Sequence, residues 1–90
     1  MNPIRWAEHA VENLAEREID RSDVEATLHE PELVVPDAPV REVYMRRYFD
    51  RVLQQEMLMR VVVEQTESET VVVTVYKTSQ IARYLKGIPR

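Results

Sequence analysis

The sequence has no cysteine, a single glycine and only two histidines among its 90 residues. Without cysteine, a disulfide framework, a zinc ribbon, an iron–sulfur cluster and a thiolate nucleophile are all excluded. One glycine is too few for the glycine-rich loops that cradle phosphates in nucleotide-binding proteins. His9 and His29 do not form a His-x-x-x-His pair, so we expect neither a metal site nor a cofactor.

Long apolar runs are also missing. No segment approaches the ~18 to 20 consecutive apolar residues that a membrane-spanning helix needs, and the N-terminus lacks the basic-then-apolar layout of a secretory signal. We therefore expect a cytoplasmic protein that does not associate with membranes. The length, with 44% apolar and 31% charged residues, predicts one small globular domain over residues 1–90.

The net charge of −4 is the sum of two unlike halves. Residues 1–40 contain ten acidic and three basic side chains, whereas residues 41–90 contain nine basic and six acidic ones. This asymmetry predicts one acidic surface that faces solvent or a partner and a second surface that can meet an anion. Chance segregation of the charges is the alternative.

Helical periodicity dominates the first part of the chain. Asn2-Pro3 is typical of a helix start, and Asp20 begins a second predicted helix that ends before Pro31. The first predicted helix has an apolar stripe at three- and four-residue spacing, formed by Ile4, Ala7, Val11 and Leu14 with Ala10 and Ala15 beside them.

From residue 32 onward the apolar period changes to two, which predicts strands. Four such segments are joined by short connections, and short connections produce antiparallel neighbours. A short helix follows before Gly87, the only glycine. The predicted fold is therefore α+β, with two N-terminal helices packed on a four-stranded antiparallel β-meander and a short C-terminal helix.

Three polar side chains share one ridge of the first predicted helix. His9, Asn13 and Arg17 are spaced four residues apart, so they lie one above the other. An imidazole that titrates near neutral pH beside a permanent cation is suited to proton transfer and to holding an anion. The alternative is that His9 is a boundary residue bonded to backbone or water and that Arg17 complements the helix dipole.

Basic side chains of the second half form another set. Arg47 and Arg60 alternate with apolar residues of predicted strands, where a guanidinium binds phosphate in a bidentate manner or pairs with a carboxylate on the next strand. The C-terminal segment adds donors for a phosphate and a candidate acid, namely Lys77, Thr78, Arg83 and Tyr84. The alternative for that segment is a solvated helix with a basic last turn.

A family resemblance rests on several of these residues. The block His9–Ile19, followed by Asp20 and Val24, then by Pro31, Val34-Val35-Pro36-Asp37, Tyr44 and Val71–Tyr76, resembles the DUF4258 family of small bacterial proteins. The resemblance covers roughly residues 6–84. It implies a single domain like those of the RelE/ParE toxins, within the grouping that also holds barnase and colicin-type RNases. The family's histidine and arginine fall on His9 and Arg17, and the family often has Arg in place of Asn13 and Gly in place of Glu18.

The resemblance and the basic second half together suggest a metal-independent endoribonuclease, in which the ribose 2′-hydroxyl attacks the adjacent phosphate. The predicted catalytic residues are His9, Arg17 and Tyr84, and the predicted RNA- or phosphate-binding residues are Arg47, Arg60, Lys77, Thr78 and Arg83. The competing hypothesis is a non-catalytic interaction module that forms a homodimer, or binds an antitoxin-like protein, through a sheet edge. The first hypothesis requires these side chains to converge in the fold.

Overall fold

The computed structural model describes residues 2–37 and 39–87. Five strands and three helices follow one another as β1 (Ile4–Trp6), α1 (Glu8–Glu16), α2 (Arg21–His29), β2 (Leu33–Asp37), β3 (Arg41–Asp50), β4 (Gln55–Gln65), β5 (Thr70–Thr78) and α3 (Ile81–Tyr84). The strands form one sheet in the order β1-β5-β4-β3-β2. No helix within the described residues is long and apolar enough to cross a membrane.

The sheet is mixed, because β1 runs parallel to β5 while the other neighbouring strands are antiparallel. The prediction of a four-stranded, wholly antiparallel meander beneath two N-terminal helices is therefore wrong. The helix predicted to start at Asn2-Pro3 is replaced there by a strand, in which Ile4 pairs with Thr70 and Trp6 with Val72. Hydrogen bonds with the distant strand β5 outweigh the local preference for a helix start at Asn2-Pro3. The strand itself was not predicted because three residues are too few to show the alternation of a strand.

Helix α1 begins at Glu8 and ends in a Schellman motif. The amide of Ile19 donates to the carbonyl of Leu14 at 2.9 Å, and the amide of Glu18 donates to that of Ala15 at 3.4 Å. These bonds require Glu18 to adopt a φ of 52°. That value lies in the left-handed region, which glycine occupies without steric cost.

The buried side of α1 differs from the predicted apolar stripe. Ala10 and Asn13 are the fully buried residues of the helix, whereas Val11 is 46% exposed and Ile4 belongs to β1. The predicted stripe includes residues 4 and 7, which precede the helix, so Val11, its next position, does not fall on the buried side. Once the helix starts at Glu8, the side that faces β5 runs through Ala10, Asn13 and Arg17.

The sheet has a core on each side. On the side that we call the helix face, α1 and α2 pack on β4 and β5 through Ala10, Ile19, Val24, Leu28, Met59, Val61, Val63, Val72 and Val75. On the opposite side, the α3 face, Leu85 and residues of α3 pack over Val43, Met45, Leu58 and Val62. Because successive side chains of a strand alternate, Arg60 and Tyr76 lie on the α3 face and Lys77 lies on the helix face.

Candidate functional site

Arg60 lies in the central strand β4, half-buried on the α3 face, opposite Met45 of β3 and Tyr76 of β5. Its guanidinium carbon is 4.9 Å from the centroid of the Tyr76 ring and 4.0 Å from that of Tyr84. The Nη1 atom also donates a hydrogen bond to the Tyr76 hydroxyl. Two phenol rings thus hold the guanidinium by cation–π contact.

No carboxylate of the described residues pairs with the charge of Arg60. Within residues 2–37 and 39–87, the ion pairs shorter than 4.0 Å all involve other cations, and the buried Nε atom of Arg60 has no hydrogen-bond acceptor. Arg83 is exposed and lies 5.6 Å from the Tyr84 ring centroid, so it adds a second cation. Arg60, Tyr76, Arg83 and Tyr84 form what we call the Arg60 cluster. A half-buried permanent cation without a counter-ion favours an anionic ligand.

Both tyrosines offer phenol groups to a ligand at this cluster. Burial raises the pKa of Tyr76, although the neighbouring charge of Arg60 opposes that shift. The Tyr76 hydroxyl therefore stays protonated at neutral pH, and it can donate its own proton to a ligand while it accepts from Arg60. The cluster thus combines guanidinium donors, hydroxyl donors and ring faces.

Arg47 lies on the α3 face, as the Arg60 cluster does, and its guanidinium is bound by the carboxylate of Glu32. The Arg47 Nε atom donates to both carboxylate oxygens at 3.0 Å, Nη2 donates to Oε2, and the Arg47 amide donates to Oε1 at 2.8 Å. These bonds from Arg47 lower the pKa of Glu32, which keeps the pair charged at neutral pH. An anion at Arg47 would have to displace this bidentate partner.

Lys77 points to the other side of the sheet. Its Nζ atom donates to Asp50 Oδ2 at 2.8 Å and to the carbonyl of Glu18 at 3.0 Å. Asp50 is only 3% exposed and also accepts from the Tyr48 hydroxyl and the Leu53 amide, each at 2.9 Å. Burial alone would raise the pKa of Asp50, but these hydrogen bonds outweigh it and lower the pKa to about 2. Lys77 is therefore part of a buried ion pair and not of the Arg60 cluster.

Asn13 and Arg17 form hydrogen bonds with the part of the outer edge of β5 that β1 does not cover. The pairing of β1 with β5 ends at Val72. Beyond that point Asn13 Oδ1 accepts from the Val75 amide at 3.2 Å and from the Thr74 hydroxyl at 2.7 Å, while Arg17 Nη1 donates to the Val75 carbonyl at 2.7 Å. Two of the three residues on the predicted ridge thus bond to backbone that a neighbouring strand would otherwise pair.

The model of a family described as a domain of unknown function, DUF4258, matches residues 6–77. The chain belongs to this family. The family prediction made from the sequence is thereby confirmed, whereas the grouping of DUF4258 with the RelE/ParE toxins stays a prediction. Searches of the curated proteins and of the solved structures each found no match. The matched region includes Arg60 and Tyr76 and ends before Arg83 and Tyr84.

Only some of the predicted site residues of this DUF4258 domain come together. Arg60, Arg83 and Tyr84 are in contact, and Thr78 lies on the same face, where its Oγ1 accepts the Gln80 amide at 3.1 Å. His9 is exposed on α1, in the helical layer on the other side of the sheet. Tyr76 is not among the predicted site residues, although the hairpin between β4 and β5 brings it opposite Arg60.

Proposed function

We propose that this DUF4258 domain is a metal-independent endoribonuclease that holds single-stranded RNA at the Arg60 cluster. The observation that carries the proposal is the half-buried Arg60 guanidinium, which lies between Tyr76 and Tyr84 with no carboxylate within 4.0 Å among the described residues. A guanidinium suits a phosphate, and the ring of Tyr84 suits an unpaired base. Stacking on a side chain requires a base that is splayed out of a duplex, which favours single-stranded RNA.

The chemistry follows from what the cluster holds. The 2′-oxygen forms a bond to phosphorus and the bond from phosphorus to the 5′-oxygen breaks, which leaves a 2′,3′-cyclic phosphate and a 5′-hydroxyl. Arg60 stabilises the charge that develops on the phosphate oxygens, and Tyr84 donates a proton to the departing 5′-oxygen. His9 lies across the sheet, so the proton of the 2′-hydroxyl passes to solvent.

The test compares two arginines whose guanidinium groups lie over aromatic rings, Arg60 and Arg21. The guanidinium carbon of Arg21 lies 4.5 Å from the Trp6 centroid on the other side of the molecule, so Arg21→Gln removes the same charge and the same kind of contact as Arg60→Gln. Binding and cleavage of a labelled single-stranded RNA are measured in the presence of a chelator. We expect Arg60→Gln to weaken binding about ten-fold or more, which corresponds to ~1.4 kcal/mol, and Arg21→Gln to change it little.

Two further measurements make the outcome interpretable. Circular dichroism shows whether Arg60→Gln keeps the native fold, and Arg60→Lys tests whether charge alone restores binding, since lysine lacks the planar fork. Binding by wild type that Arg60→Gln leaves unchanged, or RNA that neither protein binds or cleaves, would contradict the proposal.

The competing proposal is an interaction module that pairs through one of the two outer strands of the sheet. Strands β1 and β2 are the outer strands of the sheet; β1 has three residues and β2 contains Pro36, which lacks a backbone donor. Light scattering across a dilution series tests it. A stable dimer that loses its RNA affinity on association would favour the module over the nuclease.

A further inference from the structure

A pocket of about 280 Å³ opens on the helix face, where the corner between α1 and α2 meets the connection between β3 and β4. Leu14, Ile19 and Tyr48 give it an apolar lining. Ligand pockets for drug-sized molecules start at ~300 Å³, so this one suits a single side chain better than a nucleotide. It lies on the opposite side of the sheet from the Arg60 cluster.

The charged part of the lining is mostly acidic: it contains Glu18, Asp20, Asp23 and Asp50 against one basic residue, Arg51. Asp50 already bonds to Lys77, but within residues 2–37 and 39–87 no basic atom lies within 4.0 Å of the carboxylates of Glu18, Asp20 or Asp23. Burial and the charge of Asp20 raise the pKa of Asp23, against the opposing charge of Arg51. A cation in the pocket would relieve this repulsion, because opposite charges in a partly desolvated site attract strongly.

The rim of the pocket is apolar on one side. Val52 lines the pocket and is 59% exposed, and the next residue, Leu53, is 47% exposed. Carboxylates above an apolar lining match an ammonium or guanidinium carried on an aliphatic stem. If the ammonium or guanidinium belongs to a polypeptide, the residue next to it in that polypeptide can pack on the exposed rim. An RNA strand is excluded here by its charge.

We propose that this pocket receives a lysine or arginine side chain from a partner protein, with an apolar neighbour of that side chain packing on Val52. The site is independent of the proposed RNA-binding face. Its occupant is defined by charge complementarity to Glu18, Asp20 and Asp23 and by the apolar rim.

The test uses the full chain, labelled with ¹⁵N, and two short peptides, acetyl-Leu-Lys-Leu-amide and acetyl-Leu-Gln-Leu-amide. We expect saturable shifts of the amides of residues 18–23 and 51–53 with the lysine peptide, and weaker effects with the glutamine peptide. The double variant Asp20→Asn with Asp23→Asn should weaken the lysine peptide about ten-fold. It should fold normally, because Asp20 makes no side-chain capping bond and Asn is an equally good N-cap.

The matched control removes two charges elsewhere. Glu8→Gln with Glu12→Gln changes two exposed side chains of α1 that do not line the pocket, and the lysine peptide should bind this variant as it binds wild type. The proposal is overturned if the lysine and glutamine peptides bind equally, or if both double variants weaken binding equally. It is also overturned if the lysine peptide causes no saturable shift at these residues up to ~10 mM, well above the Kd range of a specific contact.

Discussion

The side-chain oxygen of Asn13, on α1, accepts the backbone N–H of Val75, on β5, at 3.2 Å. A helix side chain here replaces the strand that would otherwise bond to this edge, because β1 ends at Trp6, which is paired with Val72 of β5. Arg17, one turn along α1, completes the replacement by donating to the carbonyl of the same residue, Val75. Asn13 and Arg17, which belong to the ridge that the sequence predicted to be catalytic, thus join α1 to β5 by hydrogen bonds.

Asn13→Ala should therefore reduce stability. The change leaves the buried Val75 amide without an acceptor and opens a small cavity, at a cost of about 1 to 3 kcal/mol in the free energy of unfolding. Urea denaturation measures it. Glu12→Ala, at the exposed neighbouring position, should change stability by less than ~0.5 kcal/mol. Equal effects of the two changes would contradict the assignment.

Glu18→Gly should raise stability. Glu18 holds a φ of 52° at the end of α1, a conformation that costs a non-glycine residue about 1 kcal/mol or more. Part of that gain is offset by the larger entropy of glycine in the unfolded chain, so we expect a net gain of about 0.5 kcal/mol. Thermal unfolding checks the sign. Gln54→Gly, at another non-glycine residue with a positive φ, of 54°, is the matched comparison. A melting temperature of Glu18→Gly below that of wild type would contradict the expected relief of strain.

Stability should fall in acid through Asp50. Its pKa is about 2 in the folded protein and close to ~3.9 in the unfolded chain. The folded pKa is the lower one, so the contribution is fully present above pH ~5 and is lost as the pH falls toward 2, amounting to about 2 to 3 kcal/mol. Urea denaturation from pH 6 to pH 2.5 should show a shallower decline for Asp50→Asn than for wild type. Parallel declines would mean that Asp50 is not the responsible group.

Lys77→Met should lower stability and leave RNA binding unchanged. Removing one partner from a buried pair leaves Asp50 uncompensated, which costs about 2 to 4 kcal/mol, whereas Lys77 lies on the face away from the Arg60 cluster. Unfolding and RNA titrations are measured on the same preparations at a temperature where the variant is folded. Lys86→Met removes an exposed lysine and serves as control. If the folded Lys77→Met protein loses RNA affinity and Lys86→Met does not, Lys77 takes part in RNA binding and the prediction is wrong.

Tyr84 has two separable roles in the proposed nuclease. Tyr84→Phe keeps the ring that stacks on Arg60 and removes the acidic proton, so RNA binding should persist while cleavage slows by ~10² or more. Tyr84→Ala should lose both properties. His9→Ala should match wild type in both assays, and a large loss of cleavage in that variant would place the histidine in the reaction after all.

The pairing of Arg60 with Tyr76 shows why the site was only partly predictable. Strand periodicity placed Arg60 among apolar residues, and a resemblance in the sequence identified the family. Counting back from the hairpin pair Gln65 and Thr70 would put Val75 opposite Arg60, but a bulge at Val62 and Val63 shifts the register by one residue. Sequence alternation carries no signal for such a bulge when the strand is a continuous run of valines.

The helices illustrate the same division between local and distant information. Helix α2 has Asp20 as its N-cap residue and ends before Pro31; the preference of aspartate for the N-cap position and the disfavouring of helix before proline are both local signals. Strand β1 depends instead on hydrogen bonds with residues 70–72, which no local pattern announces. The same distance separates Asn13 from Val75, so the sequence showed the polar ridge without showing what it bonds to.

The parallel pairing of β1 with β5 also sets the order of events during synthesis. Residues 4–6 leave the ribosome well before their partner, residues 70–72. Closing so long a loop is slow compared with forming a hairpin. A ribosome-bound chain that ends before Thr70 should leave Ile4 and Trp6 without their partner strand and open to proteases or chaperones, and protection should develop abruptly once β5 is released.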